Sequence, residues 1–250
     1  MKENWKSKAR HLGIAYIVGI ILTILYLIVH RYLETRILEG PKSIEVNMDK
    51  LTLLYIGAII ICYIWYCISL SKFANLQTNE ENRRSLKSVL DGHILLAVGI
   101  IAIIIAIRFA DYTAGLLPIL LSALCIPPYF AYRKMEKGFR RLQQSDEYNK
   151  NCQNGFKKLC QSAAIKKTIM LALMVLVPAA LFTLVFLFIM IISSSSLTES
   201  VNTLETADNI ALIIEVIGII LLIIEIVAIW KLLSGWFLVK NNPPEETTIS

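Results

Sequence analysis

The sequence predicts an all-α fold, a polytopic transmembrane helix bundle of about six spans with a cytoplasmic helical hairpin extending spans four and five. Composition is the first reason, because 56% of the 250 residues are hydrophobic and only 18% are charged. Soluble domains are about 45–50% apolar and about 25% charged. The second reason is that the apolar residues form runs of about 20, the length that crosses a bilayer as a helix. The third is the uneven distribution of lysine and arginine between alternate connections.

Six segments are long and apolar enough to cross a membrane. The bilayer interior offers the backbone no hydrogen-bond partners, so each segment is expected to be helical. The first segment resembles a signal peptide, but its apolar run is too long and no Ala-x-Ala site follows, so we interpret it as a retained span. Residues 1–250 are predicted to form a single membrane domain. The predicted spans are residues 11–29, 51–70, 93–110, 112–132, 168–193 and 209–239.

The charge distribution predicts the orientation of the spans. Of the 25 lysine and arginine residues, 20 fall on the side that holds both chain ends and the 71–92 and 133–167 connections, and 5 fall on the other side. Basic residues concentrate on the cytoplasmic side of membrane proteins. We therefore predict a multi-pass protein of the cell membrane with a cytoplasmic N-terminus and C-terminus. The lipid bilayer also explains the net charge of +6, and we predict no nucleic-acid partner.

The longest connection, residues 133–167, has the pattern of two amphipathic helices. Ser145-Asp146 separates them as a predicted helix cap. We expect the two apolar seams to meet in a cytoplasmic hairpin whose basic faces lie near anionic headgroups. This hairpin is the predicted docking place for a protein partner. Its seam residues are Met135, Phe139, Leu142, Cys152, Phe156, Leu159, Cys160 and Ala163.

The predicted external connections are short. Residues 31–50 are predicted to hold a short helix that ends at Gly40-Pro41, and residues 194–208 form an acidic connection without lysine or arginine. Residues 111–112 leave only a tight turn between the third and fourth spans. No external domain is therefore predicted between these two spans.

Two carboxylates in the last span, Glu215 and Glu225, are the main candidate site residues. An ionisable group at membrane depth costs about 2.5–3.5 kcal/mol on insertion scales, so it usually faces protein or water. The two side chains lie about 80° apart around the helix, with Gly218 between them and Ala211 and Leu222 in the same sector. We expect this small and polar face to turn into the bundle.

Arg108 is a candidate partner for Glu215, because both lie a few residues below the outer ends of their spans. We hypothesise that they form an ion pair. Glu225 has no charged partner that the sequence identifies, although Tyr16 lies at a similar depth. We interpret these residues as a structural clamp between helices, with a proton or ion relay as the alternative.

No pattern in the sequence predicts catalytic residues, a cofactor or a metal site. The chain has no His-Glu-x-x-His sequence, no phosphate-binding glycine loop and no Gly-x-Ser-x-Gly elbow. The histidines are interpreted as solvated at span boundaries: His11, His30 and His93. The cysteines lack a Cys-x-x-Cys pair and are interpreted as small buried hydrophobic side chains. They are Cys62, Cys67, Cys125, Cys152 and Cys160.

A basic helical segment, from Tyr148-Asn149-Lys150 to Lys166-Lys167-Thr168, leads directly into the fifth span. In this layout, and in its isoleucine-, lysine- and asparagine-rich composition, the chain resembles a group of uncharacterised six-span membrane proteins from low-GC Gram-positive bacteria. In that group, paired spans flank basic, helical cytoplasmic connections. The resemblance implies no activity and no site residues.

Three functions remain open at this stage. The first is a non-enzymatic accessory, permease-like or immunity-type membrane component that works with a separate protein. The second is a proton- or ion-coupled small transporter that uses the polar face of the last span, although the other spans are almost wholly apolar. A membrane-embedded enzyme ranks last, because Glu215 and Glu225 lie about 15 Å apart along the helix axis. The sequence does not determine the oligomeric state.

Overall fold

Helices are the regular elements throughout the part of the chain that the structure describes, so the all-α prediction is confirmed. The structure is a computed structural model, and it describes residues 2–37, 43–109, 125–193 and 197–243. The helices are α1 (Lys2–Ile37), α2 (Ser43–Asn75), α3 (Glu80–Phe109), α4 (Ile126–Gln143), α5 (Lys150–Ser193) and α6 (Leu197–Asn241).

Five stretches of these helices are long and apolar enough to cross a membrane, so the chain has the architecture of a multi-pass membrane protein. They correspond to the first, second, third, fifth and sixth predicted spans. Most of the predicted fourth span, residues 112–132, lies outside the described residues, and its end falls at the start of α4. The five stretches are Glu3–Leu33, Lys50–Asn75, Glu80–Ala102, Lys150–Leu187 and Asp208–Asn241.

The helices extend well beyond the predicted spans. Helix α1 continues to Ile37, where we predicted a separate short helix, and α6 begins at Leu197, inside the predicted 194–208 connection. The end predicted at Gly40-Pro41 lies outside the described residues. Once a helix is nucleated, each added residue gains a hydrogen bond, so polar flanks continue it. Hydropathy therefore locates the membrane-crossing part of a helix but not its ends.

Asparagine side chains cap the two helices that follow the described turns. Asn79 Oδ1 accepts hydrogen bonds from the backbone N–H groups of Glu81 at 2.7 Å and Asn82 at 3.4 Å, at the start of α3. Asn149 Oδ1 accepts one from the Cys152 N–H at 2.8 Å, at the start of α5. The cap predicted at Ser145-Asp146 is therefore wrong. The Ser145 carbonyl instead accepts a hydrogen bond from Gln153 Nε2 at 2.9 Å.

The predicted apolar seams of the 133–167 connection are buried. All eight side chains that the helical pattern selected, from Met135 to Ala163, are at most 8% exposed. The pattern succeeds here because residues three, four and seven apart share one helix face. Because the seam side chains are buried, the basic residues between them point outward. Lys137, Arg141 and Lys157 are exposed.

The residues of the chain cluster into two compact units. The first unit consists of Met1–Leu90, Arg141–Lys157 and Leu233–Ser250, and the second consists of Asp91–Arg140 and Lys158–Leu232. The single-domain prediction for residues 1–250 stays a prediction.

An aromatic core holds the first unit together. The Trp5 ring lies 4.5 Å from Phe73 and 6.0 Å from Tyr148, and Phe73 meets Trp236 edge-on at 5.8 Å between centroids. Trp5 Nε1 donates a hydrogen bond to the Val239 carbonyl at 2.8 Å. These contacts join the first turns of α1, the end of α2, the turn before α5 and the last turns of α6.

A glycine permits close approach of α5 and α6 in the first unit. A Cβ atom added at Gly155 would lie 2.8 Å from Val239 Cγ2 and 2.9 Å from the Gly235 carbonyl oxygen. Atoms cannot approach this closely without displacement of the backbone, so a larger residue at position 155 would push α5 and α6 apart.

Polar side chains also pair within the membrane-crossing parts of α1 and α2. Tyr26 stacks on Tyr55 at 4.2 Å between ring centroids. Thr23 shares a hydrogen bond of 3.1 Å with the Tyr55 hydroxyl, and Tyr26 shares one of 3.2 Å with Thr52. Such interhelical hydrogen bonds stabilise helix pairs in a membrane because lipid offers no alternative partner.

Candidate functional site

Charged side chains of α4, α5 and α6 come together in the second unit. We call this group the ion-pair cluster, and it consists of Glu136, Arg140, Lys166, Lys167 and Glu225. Glu136 and Arg140 share a face of α4, because residues four apart are neighbours on a helix. Lys166 and Lys167 project from α5, and Glu225 projects from α6.

Glu136 is the most deeply buried carboxylate of the cluster, with its side chain 9% exposed. Its two oxygens accept hydrogen bonds from two cations, Arg140 Nη2 at 2.5 Å and Lys167 Nζ at 2.5 Å. A buried carboxylate is costly unless it is paired and its oxygens are satisfied. Both conditions are met, so Glu136 ties α4 to α5.

Glu225 forms the second ion pair of the cluster. Its Oε1 lies 2.6 Å from Lys166 Nζ, and the side chains are 35% and 13% exposed respectively. The ammonium of Lys166 also lies 5.9 Å from the centroid of the Tyr132 ring, in cation–π range. Lys166 therefore connects α5 both to α6 and to α4.

Two hydrogen bonds extend this contact along α5 and α6. Ser162 Oγ donates to the Ala228 carbonyl at 2.7 Å, and Lys231 Nζ donates to Gln161 Oε1 at 2.8 Å. Residue numbers fall along α5 as they rise along α6, so the two helices are antiparallel here. Polar contacts thus recur at roughly one-turn intervals and fix the register of the pair.

Gly92 allows α3 to pack closely against α4 in the same unit. A Cβ added at Gly92 would lie 2.8 Å from the Ala131 carbonyl oxygen and 2.8 Å from Met135 Cγ. The neighbouring His93 is buried. The prediction of a solvated interfacial histidine at this position is therefore wrong, because close packing of α3 on α4 removes the side chain from solvent. His93 was placed at a span boundary, whereas α3 begins at Glu80.

A separate polar network joins the two described turns of the first unit. Asn79 Nδ2 and Asn82 Nδ2 donate to the two carboxylate oxygens of Glu147, at 2.9 Å and 2.8 Å. The Tyr148 hydroxyl donates to Gln77 Oε1 at 2.6 Å. Burial of Tyr148, reinforced by the nearby Cys152 and Glu147, raises the pKa of its hydroxyl above the usual range.

The part of the predicted polar face of α6 around Glu215 is exposed, whereas Glu225 on the same face contacts α5. Glu215 and Leu222 are exposed, as is Gly218, where an added Cβ would meet no atom within 4 Å. The polar contacts between α5 and α6 are made from Glu225 to Lys231, so they do not cover the face around Glu215. The side chain of Arg108 lies outside the described side chains, and its pairing with Glu215 stays a prediction.

Sequence reasoning identified Glu225 but missed its partner. The sequence places Lys166 and Lys167 on a basic face near anionic headgroups, yet both make ion pairs. The available signal was their position between the apolar residues Ile165 and Ile169, inside a helix that continues into the fifth span. A lysine in such a run is expected to have an acidic partner.

The cysteines agree in part with their interpretation. All five are free thiols, and Cys152 and Cys160 are buried as expected. Cys160 Sγ lies 3.6 Å from the Glu136 carbonyl, beside the ion-pair cluster. Cys62, Cys67 and Cys125 are only half-buried.

The helices and their paired charges place the chain in the class of multi-pass α-helical membrane proteins. Comparison of the chain with protein-family models, with curated proteins and with solved structures found no match in any of the three.

Proposed function

We propose that the chain is a non-enzymatic component of the cell membrane, of the accessory, permease-like or immunity type, which works in complex with another protein. In this proposal it crosses the membrane six times, and both ends and the hairpin of α4 and α5 are cytoplasmic. The main support for a non-enzymatic role is that Glu136 and Glu225 are each paired with a cation from a neighbouring helix. Removal of one partner of such a pair leaves an uncompensated charge and is strongly destabilising, so we assign these carboxylates a structural role.

Contacts within the first unit support six crossings. Trp5, near the N-terminus, bonds to Val239 near the end of α6, and Tyr148 in the turn before α5 bonds to Gln77 in the turn after α2. Groups in contact lie on the same side of the membrane. Helix α3 takes the chain across the membrane, away from the side on which Gln77 lies. Tyr148 lies on that first side again, so the chain must cross back between them, where the fourth span is predicted. The excess of 20 basic residues over 5 then makes this side cytoplasmic.

The surface of the hairpin favours a charged partner. Its apolar seam is buried, so what α4 offers to another molecule is basic, with the exposed Lys137 and Arg141 one turn apart. Acidic protein surfaces and anionic headgroups both complement such a face. In the proposed complex, this face binds an acidic surface of the partner.

The partner is tested by crosslinking in cells of the native host before lysis, with a tag on the chain and identification of the crosslinked protein by mass spectrometry. We expect the same second protein, in fixed stoichiometry, from independent preparations. Lys137→Glu combined with Arg141→Glu is expected to weaken the crosslink, and Lys6→Glu, a charge reversal at another exposed lysine, is the control. Recovery of the chain alone in every preparation would contradict the accessory role.

A proton-coupled transporter is the second candidate, and the incomplete burial of Glu225 beside Lys166 favours it. The two candidates are separated by proton flux into liposomes that contain the purified chain and a pH-sensitive dye. The accessory role predicts a flux no faster than in protein-free liposomes. A flux that Glu225→Gln abolishes, and that Glu81→Gln at an exposed carboxylate leaves intact, would establish the transporter instead.

A further inference from the structure

The outer half of α6 exposes a carboxylate where the bilayer would surround the helix. Glu215 lies seven residues after Asp208, the start of the membrane-crossing stretch Asp208–Asn241, which corresponds to about 10 Å along the axis. The neighbouring Ile213, Val216 and Ile219 are exposed as well. Lipid can cover these apolar side chains, but a carboxylate at this depth is costly to leave against acyl chains.

Glu215 differs from the two carboxylates of the ion-pair cluster. Glu136 and Glu225 each accept from a lysine of α5. No hydrogen bond or ion pair joins the Glu215 side chain to another side chain that the structure describes, and its surface is open. A carboxyl group at this depth is either protonated or paired with a cation, and a cation for Glu215 would come from outside the described side chains.

The surface around Glu215 also has the shape that a helix needs for close approach. Ala211 and Gly218 share its sector of α6, and both are exposed. A Cβ at Gly218 would meet nothing within 4 Å, so this part of the backbone is open to a neighbour. Small residues on a membrane helix allow another helix to pack closely and to form interhelical hydrogen bonds.

We propose that this face of α6, centred on Glu215, binds a transmembrane helix of another protein that carries a lysine or arginine at the depth of Glu215, and that this basic side chain pairs with Glu215 in place of Arg108. Charge complementarity selects the occupant, because acyl chains cannot neutralise a carboxylate and a basic side chain can. The proposal rests on the accessory role and specifies where, and through which chemistry, the membrane part of the partner is bound.

A synthetic transmembrane peptide provides the probe. It consists of about 20 leucine and alanine residues, the length of one crossing, with one arginine seven residues from its outer end and an acceptor dye at its other end. Energy transfer from a fluorescent protein fused after Ser250 reports binding in liposomes. We expect the arginine peptide to bind about tenfold more tightly than the same peptide with leucine in place of arginine, the ratio that corresponds to a 1.4 kcal/mol interaction.

Variants of the chain locate the binding face. Glu215→Gln is expected to remove the preference for arginine, and Gly218→Leu to weaken binding of both peptides. Ile220→Leu, on the opposite side of α6 and also exposed, is the matched control and is expected to bind as the unmodified chain does. Equal binding of the arginine peptide by Glu215→Gln would overturn the proposal.

Two further outcomes assign the face to another occupant. If the unmodified chain ignores the peptide and Arg108→Leu makes it bind, the chain's own Arg108 occupies the face, and the proposal is wrong. If energy transfer between two differently labelled copies is lost in Glu215→Gln, a second copy is the occupant, which also overturns it. None of these results bears on the crosslinking or flux experiments, so failure here is distinguishable from failure of the accessory role.

Discussion

Removal of Glu225 is the sharpest test of the ion-pair cluster as a structural clamp. Loss of one partner of a buried ion pair costs about 3–5 kcal/mol, because it leaves the other charge unpaired. Exposed pairs contribute only about 0.2–1 kcal/mol. Lys166 is 13% exposed and Glu225 is 35% exposed, so the pair lies between these limits. We predict that Glu225→Gln lowers the free energy of unfolding by about 2 kcal/mol.

Replacement of Lys166 is predicted to lower the free energy of unfolding less than replacement of Glu225 does. Lys166→Met leaves Glu225 without its partner, but this carboxylate reaches solvent more readily, so the cost is about 1 kcal/mol. The double variant leaves no unpaired charge and is predicted to cost about 1 kcal/mol as well, less than the sum of the two single changes. The free energy is measured by unfolding in mixed detergent micelles, followed by tryptophan fluorescence and circular dichroism.

Glu215→Gln is the matched control, because it makes the same chemical change at an exposed carboxylate of the same helix. We expect it to alter the free energy of unfolding by less than about 0.5 kcal/mol. If Glu225→Gln is no more destabilising than Glu215→Gln, or if the two cluster variants are additive, the ion pair does not clamp α5 to α6.

Three further predictions concern the first unit. Gly155→Leu is expected to prevent recovery of folded protein in detergent, because a Cβ there would meet Gly235 and Val239. The control Gly57→Leu is expected to be tolerated, since nothing lies within 4 Å of Gly57. Equal yields of the two variants would contradict the close packing at Gly155. Trp5→Phe is expected to cost about 1 kcal/mol in unfolding experiments through its lost hydrogen bond, and no change would show that the bond is unimportant. Burial raises the pKa of Tyr148 above its unfolded value, so the folded state binds this proton more tightly. The resulting stability is present below about pH 10 and is lost at higher pH. Tyr148→Phe should remove that part of the alkaline loss, and identical pH profiles would refute it.

The membrane-crossing helices could be predicted because the bilayer imposes one local requirement on each of them. About 20 consecutive apolar residues satisfy it, and five stretches of the described helices do so. The helix ends could not be predicted in the same way. Helix α6 begins at Leu197 and runs through a stretch that contains threonine, serine, asparagine and aspartate. These residues have modest helix propensity, so continuation of an existing helix decides the outcome.

The hairpin contains one feature that could be predicted from the sequence, its buried seam, and one that could not, its helix cap. Its buried seam, which includes Phe139 and Phe156, follows from helical spacing alone, and burial confirms it. The helix cap did not follow, because Ser145, Asp146 and Asn149 are all good capping residues. Asn149 caps the helix, whereas Ser145 accepts hydrogen bonds from Asn82 and Gln153 instead.

The ion-pair cluster lay beyond what local patterns reveal. Glu225 was singled out because a carboxylate within an apolar run is rare. Its pairing with Lys166 depends on the register of α5 against α6, which is set by packing between residues far apart in the chain. The same limit applies to the face around Glu215, which is exposed. Helical angles determine which residues share a face, but not which face a neighbouring helix covers.

The proposed topology has both chain ends and the turn between α4 and α5 on the cytoplasmic side of a six-span protein. It is tested most directly by labelling single cysteines with a membrane-impermeant maleimide, in a chain whose five native cysteines are replaced by alanine. Asp146→Cys, at an exposed position in the turn, is predicted to react only after the cells are lysed. Thr206→Cys, exposed just before the last crossing, is predicted to react in intact cells. Labelling of Asp146→Cys in intact cells would contradict the account.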